Sequence, residues 1–222
     1  KNTVKDLIYF LGSSNVDNNS KATTFSPNKY RQFQLEHSAE HNNAICAVVN
    51  YNNKETKLRL ELLISMLIRT ARSYSKATGI EGVSITVPVT YTELQRKALV
   101  DAIRISEMKP LPCINICEAM GTMFEIKHRE RIMEACAEDK KYNVVMLDIG
   151  HTTTNVGIVQ YSVDNNNDND EKTITCKTLS SLGKTDLGAR NIDNALFNEV
   201  ASILSTKYKM NVTPASKVGS RI

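Results

Sequence analysis

At 222 residues with 41% hydrophobic side chains, the chain is long enough to bury a core as one large domain or two small ones. Its formal charge of +4 is spread without an arginine-rich block or interleaved aromatics, which argues against a nucleic-acid partner. The longest apolar stretch, residues 62–68, is far too short for a membrane span, so no membrane is expected.

Residues 1–56 read as irregular, with Gly12-Ser13-Ser14, the polar run Asp17-Asn18-Asn19-Ser20-Lys21 and one short strand over 44–49. Over 57–76, Leu58, Leu62, Ile64, Leu67, Ile68 and Ala71 recur near helical spacing, and Gly79 sits where a helix should stop. Residues 82–87 alternate and are β-branched, predicting a strand that Pro88 ends. Thr90 with Glu93 then forms a capping box opening a helix over 91–107. Pro110 and Pro112 break that helix, a short strand follows over 113–116, and 118–137 predicts a long, charged, amphipathic helix.

Beyond it the character changes. Residues 143–149 read as a buried strand through Val144, Val145, Met146 and Leu147, and Gly150 begins a tight turn into a second strand over 153–161. The asparagine/aspartate tract 164–170 reads as a surface loop before a third strand over 173–180. Residues 186–207 predict a helix with Ile192, Leu196, Val200, Ile203 and Leu204 on one face. The order describes a mixed α/β chain with a domain change near residues 137–142. Five scattered cysteines, Cys46, Cys113, Cys117, Cys136 and Cys176, point to reduced thiols in a cytosolic or nuclear compartment. Lys1 is no natural initiator, so the expectation is that the true amino terminus, with any signal peptide, lies upstream.

The strongest local chemistry is Asp148-Ile149-Gly150-His151-Thr152-Thr153-Thr154-Asn155, a carboxylate ending a buried strand and followed by a turn dense in hydroxyls. Backbone N–H groups and threonine hydroxyls can cradle oxyanions, while an aspartate at a strand end can hold a metal's water shell. An ordinary hairpin turn favours the same Asp, Gly and Thr, and the motif alone does not separate the two.

The other motifs read as structural. Gly183-Lys184-Thr185 imitates the end of a P-loop but lacks the earlier glycine, Thr178 standing there. Asp164-x-Asn166-x-Asp168 imitates a calcium loop without its glycine or closing glutamate. Cys113 and Cys117 have no second pair at zinc spacing and read as buried thiols. Asn18-Asn19-Ser20 and Asn211-Val212-Thr213 fit the glycosylation pattern, which matters only in a secretory chain. His128 reads as a solvated surface residue, and no serine or cysteine nucleophile pairs with a histidine by spacing.

Taken in order, Asn2-Thr3-Val4 with Phe10-Leu11-Gly12, Ile85-Thr86-Val87-Pro88, Gln95-Arg96, Asp101-Ala102, residues 143–155, and Leu187-Gly188 with Asp193 resemble the nucleotide-binding domain of the heat-shock protein 70 superfamily. Gly150-His151 followed by hydroxyl residues, in place of a glycine run, and Arg190 resemble its heat-shock protein 110 branch. The resemblance implies a partial actin-like ATPase (ribonuclease H-like) fold of two lobes, α/β in class. Residues 1–137 would form most of the first lobe and 138–222 the start of the second, with its phosphate-binding hairpin.

It further implies ATP or ADP with Mg as ligand. Asp148 would be the metal-side carboxylate, acting through water. Gly150, His151 and Thr152 would be the phosphate-turn backbone and Thr153 a hydroxyl near the transferred phosphate. Gly188 and Ala189 would form the second approach to nucleotide, Ala189 standing where the family has a glycine. Where hydrolysing relatives have a Glu-Pro pair this chain has Ile116-Cys117, and where they have an aspartate near the ions it has Asn155. Losing a positioned acid–base group typically lowers the rate about a hundredfold or more, so the resemblance implies binding with weak or no hydrolysis and names no catalytic residue.

The expected role is a cytoplasmic co-chaperone, with an endoplasmic-reticulum lumenal relative as the alternative. It would promote nucleotide exchange on a heat-shock protein 70 partner and hold unfolded clients through other regions. The rivals are a hydrolysing chaperone ATPase and a divergent actin-like or sugar-kinase-like protein of unrelated role.

Overall fold

In the computed structural model the described residues are 4, 7–12, 33–39, 44–75, 79–80, 82–165, 172–185, 187–214 and 216–219. The Asp17–Lys21 run, the first glycosylation pattern, most of the 164–170 tract with its calcium-like spacing, and Asp186 lie outside them. The chain divides into two compact units. One comprises Lys1–Val83, Thr92–Leu111 and Asn191–Ile222, the other Ser84–Tyr91 and Pro112–Arg190.

The first unit begins with a short helix, α1 (Leu7–Phe10). An antiparallel sheet follows, of β1 (Gln34–Ser38), β2 (Ala44–Tyr51) and β3 (Lys54–Arg59) in that order. The expected irregular start therefore contains two strands beyond the 44–49 candidate, which is β2 with its Ile45, Cys46, Ala47 and Val49 buried. Between β2 and β3, Asn52 and Asn53 hold φ of 50° and 59°, the left-handed pair that a two-residue hairpin loop requires.

Helix α2 (Leu60–Tyr74) starts three residues later than the expected 57 because Lys57 and Leu58 pair with Val48 and Ala47 on β2. After the two-residue strand β4 (Gly82–Val83) in this unit comes β5 (Thr86–Val87) in the other, so residues 82–87 are two short strands rather than one. Helix α3 (Glu93–Ile105) packs on α2 through the buried Ala98, Leu99, Ala102 and Ile103.

The capping box of α3 is Thr92 with Gln95, not Thr90 with Glu93. The Gln95 N–H donates to Thr92 Oγ1 at 3.3 Å and the Thr92 N–H to Gln95 Oε1 at 3.0 Å. The shift arises because the Tyr91 N–H bonds the Pro88 carbonyl at 3.1 Å, closing a turn over residues 88–91 before the helix can begin. At its other end α3 stops before the prolines are reached, with Glu107 at a φ of 62°. β6 (Lys109–Pro110) then runs parallel to β4.

In the second unit, β7 (Ile114–Asn115) lies parallel to β5, and Asn115 caps α4 (Ile116–Lys127) by accepting from the Cys117 N–H at 2.9 Å. The single helix expected over 118–137 is two, α4 and α5 (Arg129–Ala135), divided at His128. There the exposed His128 ring packs at a tilt against Phe124, centroids 4.5 Å apart, and the redirected chain brings Ile132 and Cys136 into the core.

β8 (Tyr142–Ile149), β9 (Thr154–Asn165) and β10 (Lys172–Lys184) form an antiparallel meander in the order β10-β9-β8. One face carries the core of Met146, Val159, Tyr161 and Ile174 under α4 and α5. Gly121 and Gly157 let α4 sit close: a Cβ on Gly157 would lie 2.8 Å from Cys117 Sγ, and one on Gly121 would lie 3.1 Å from Val159. The expected fully buried run at 144–147 is half right. Met146 is buried while Val145 and Leu147 are 66% and 55% exposed, because a pleated strand turns alternate residues outward.

Helix α6 (Ala189–Tyr208) closes the series. Its Ile192, Leu196, Val200 and Ile203 are exposed.

Candidate functional site

The pleat sets the site. Along β8 and β9 the cross-strand pairs Tyr142–Tyr161, Val144–Val159, Met146–Gly157 and Asp148–Asn155 share one parity, so they line the face that α4 covers. The last pair is polar. Asn155, only 1% exposed, donates its amide Nδ2–H to Asp148 Oδ2 at 3.0 Å, and its Oδ1 accepts the Val89 N–H at 3.1 Å. Both partners fix which end of the amide points where, since a backbone N–H can only donate and a carboxylate accepts. Beside them is the buried Cys117 thiol, whose pKa is raised by burial first and by the Asp148 charge second.

Residues 150–153 connect the strands. The Gly150 N–H donates to the Thr153 carbonyl at 2.8 Å, closing the turn on itself. Leu187, Gly188 and the start of α6 come to the same place. The Ala189 N–H donates to the Gly150 carbonyl at 3.0 Å, the Arg190 N–H to the His151 carbonyl at 2.9 Å, and Thr154 Oγ1 to the Leu187 carbonyl at 2.8 Å. A Cβ on Gly188 would lie 2.6 Å from the His151 oxygen, closer than real Cβ atoms come, so this approach needs a glycine.

The result is a division of labour within the backbone. The first two N–H groups of α6 and that of Gly150 are satisfied inside the junction, and the Gly150 and His151 carbonyls, which would repel an anion, are engaged by α6. The N–H groups of His151, Thr152 and Thr153 donate to no described residue. Successive free backbone donors in a turn, flanked by threonine hydroxyls, suit a phosphate oxygen.

Each expected site residue is thereby located: Asp148 at the strand end, Gly150 to Thr153 in the turn, Gly188 and Ala189 against it. Gly150 and Ala189 serve as structural donors to the turn rather than as open N–H groups.

A magnesium ion fits this donor set in one way. Among the described residues no group of three or more His, Cys, Asp or Glu side chains gathers as for a metal, so no protein cage exists there. A lone carboxylate beside a phosphate cradle is the arrangement by which magnesium is held through its waters and the phosphates.

Sequence reasoning missed the partners of Asn155. Val89, Thr90 and Gly183 close around it, and a Cβ on Gly183 would lie 2.8 Å from Thr90 Cγ2 and 2.9 Å from Asn155 Oδ1. In the sequence Gly183 stands out only through its P-loop-like neighbours; Lys184 is in a strand, paired with Thr154. All five cysteines are free; Cys113 is half-buried while Cys117 is buried.

The family model described as Hsp70 protein matches residues 1–222. The chain is 30% identical over 145 residues to Heat shock 70 kDa protein 15 of Arabidopsis thaliana, covering 65% of this chain and 16% of that one. It is 27% identical over 168 residues to Heat shock 70 kDa protein 4 of Homo sapiens, covering 74% and 18%. It is 26% identical over 227 residues to Heat shock protein 88 of Dictyostelium discoideum, covering 100% and 26%. The chain thus spans 16–26% of the length of these relatives.

Proposed function

The chain belongs to the Hsp70 protein family, whose domain is an actin-like ATPase fold that binds nucleotide with magnesium, and from that premise we propose an ATP-binding co-chaperone of the heat-shock protein 110 type. It promotes nucleotide exchange on a heat-shock protein 70 partner and holds unfolded clients through other regions of the protein. Nucleotide phosphates meet the N–H groups of His151, Thr152 and Thr153, and Asp148 orders the waters of a magnesium ion.

The observation that carries the reading is the junction of residues 150–153 with 187–190. It engages the Gly150 and His151 carbonyls and leaves the N–H groups of His151, Thr152 and Thr153 without an acceptor among the described residues, in the turn that follows Asp148. Two features favour holding over hydrolysing. The first residue of α4, next to Cys117, is Ile116, which has no proton to give or take. Asn155, an amide, occupies the position facing Asp148. Exchange needs no hydrolysis, because a partner's equilibrium shifts by differential affinity for its open state. Five cysteines, odd in number and scattered along the chain, support a cytoplasmic setting.

The test mixes the full-length protein with a heat-shock protein 70 partner loaded with fluorescent ADP. Release faster than the spontaneous rate is expected, with negligible turnover by the protein alone. No acceleration, together with steady ATP turnover, makes the hydrolysing chaperone the better reading.

A further inference from the structure

We propose that Asn155 is a positioning residue for Asp148. Its amide holds one carboxylate oxygen so that the other is presented to the magnesium waters, and the proposal rests on the nucleotide-site reading given above. Three observations build the case.

Asn155 is fully enclosed, with 1% of its surface exposed, so its amide satisfies both ends by protein partners. It spends Nδ2–H on Asp148 Oδ2 at 3.0 Å and Oδ1 on the Val89 N–H at 3.1 Å. The pair is also cross-strand neighbours in register, so the bond joins the two strands at the mouth of the turn. Finally, the enclosure is shaped around the amide. Gly183 has no room for a Cβ, which would lie 2.9 Å from Asn155 Oδ1, and Thr90 closes the same spot with its Oγ1 buried and unpartnered among the described residues.

A side chain anchored at a backbone N–H and bonded to one carboxylate oxygen fixes the rotamer of that carboxylate. Groups that orient a metal-side ligand in this way typically carry about ten- to a hundredfold of metal affinity. Asp148 Oδ1, for which the described residues provide no hydrogen bond, is the oxygen left to the ion's waters.

The test measures ATP affinity of the full-length protein with and without magnesium chloride, for the parent, Asn155→Leu and Asp148→Asn. Asn155→Leu is expected to lose about tenfold of the magnesium-dependent gain while metal-free affinity stays within about twofold. A merely structural role would weaken both alike.

Asn155→Asp provides a second measurement that keeps the shape and the Val89 bond. Its two facing carboxylates repel unless a proton or a cation sits between them, so at alkaline pH, where the proton is lost, its melting midpoint should rise when magnesium chloride is added without nucleotide, and the parent's should not. Loss of the gain in Asp148→Asn but not in Asn155→Leu, with no magnesium response in Asn155→Asp, overturns the positioning role and leaves the nucleotide site intact. Retention of the gain in Asp148→Asn removes the site reading itself, and this proposal with it.

Discussion

The two faces of the β8–β10 sheet are built from similar residues and do different work. On the face under α4 and α5, Met146, Val159 and Ile174 are buried, and Tyr161 is fully buried with its hydroxyl donating to the Gly121 carbonyl at 2.8 Å. On the opposite face Val145, Leu147, Ile149, Ile158 and Leu182 are exposed. Only the covered face continues into chemistry, since its final cross-strand pair is Asp148 with Asn155. The site is thus the polar end of a packed stripe. Its precision derives from helix packing several residues away, and the open face should be nearly silent.

The greatest loss of stability should come from the middle of the covered face. Tyr161→Ala removes a buried ring and its hydrogen bond, and a deletion of that size destabilises by about 3–5 kcal/mol; chemical denaturation would show it as a lower midpoint. Gly157→Val should follow, since its Cβ would meet Cys117 Sγ at 2.8 Å and overpacking typically costs about 1–3 kcal/mol. If either were tolerated like a surface change, the packed stripe would not be what positions Asp148.

Further along the stripe, the effect should move from stability to binding. Asp148→Asn is expected to weaken magnesium-dependent ATP binding in the full-length protein, and Thr153→Ala to weaken ATP binding. Calorimetry and nucleotide-dependent protease protection check both. Unchanged affinity and protection in the two variants would return the turn to an ordinary hairpin. On the open face, Leu147→Ser should alter stability by no more than about 0.5 kcal/mol, as surface substitutions do. A larger loss on thermal melting would mean that this face is covered in solution.

Much of the fold is legible in the sequence, and where it is not the reason is physical. The three strands of the meander show in their β-branched runs, but they extend past those runs because Ser162, Asp164, Ser181 and Lys184 pair in the ladder despite being polar. β1 and β3 escaped notice since their sequences, QLEHS and KETKLR, lack an apolar alternation. The run Val144 to Leu147 resembled a strand buried on both faces, which such runs usually are. At the site, the turn announced itself by glycine and hydroxyls. The bond from Asn155 to Val89 did not, because it joins residues 66 positions apart, and no local pattern encodes such a pairing.

The smallest effect tests whether Asp148 and the covered face share one electrostatic environment. Cys117 is buried in the first turn of α4, and its thiol pKa is raised above the ordinary value chiefly by burial, then by the charges of Asp148 and Glu118. A raised thiol pKa means that the fold favours the neutral form. This contribution to stability is therefore complete below the ordinary thiol range and is lost as pH rises through the raised value. Asp148→Asn deletes only the second of these causes, so the Cys117 value should fall toward the ordinary range without reaching it. Alkylation of Cys117 as a function of pH, followed in a variant whose other four cysteines are serine, should move to lower pH by a small amount in Asp148→Asn. Leu147→Ser, on the open face, should leave the profile where it was. An unmoved profile in Asp148→Asn would place the carboxylate outside the reach of α4, and the polar end of the stripe would then be separate from the packing beneath it.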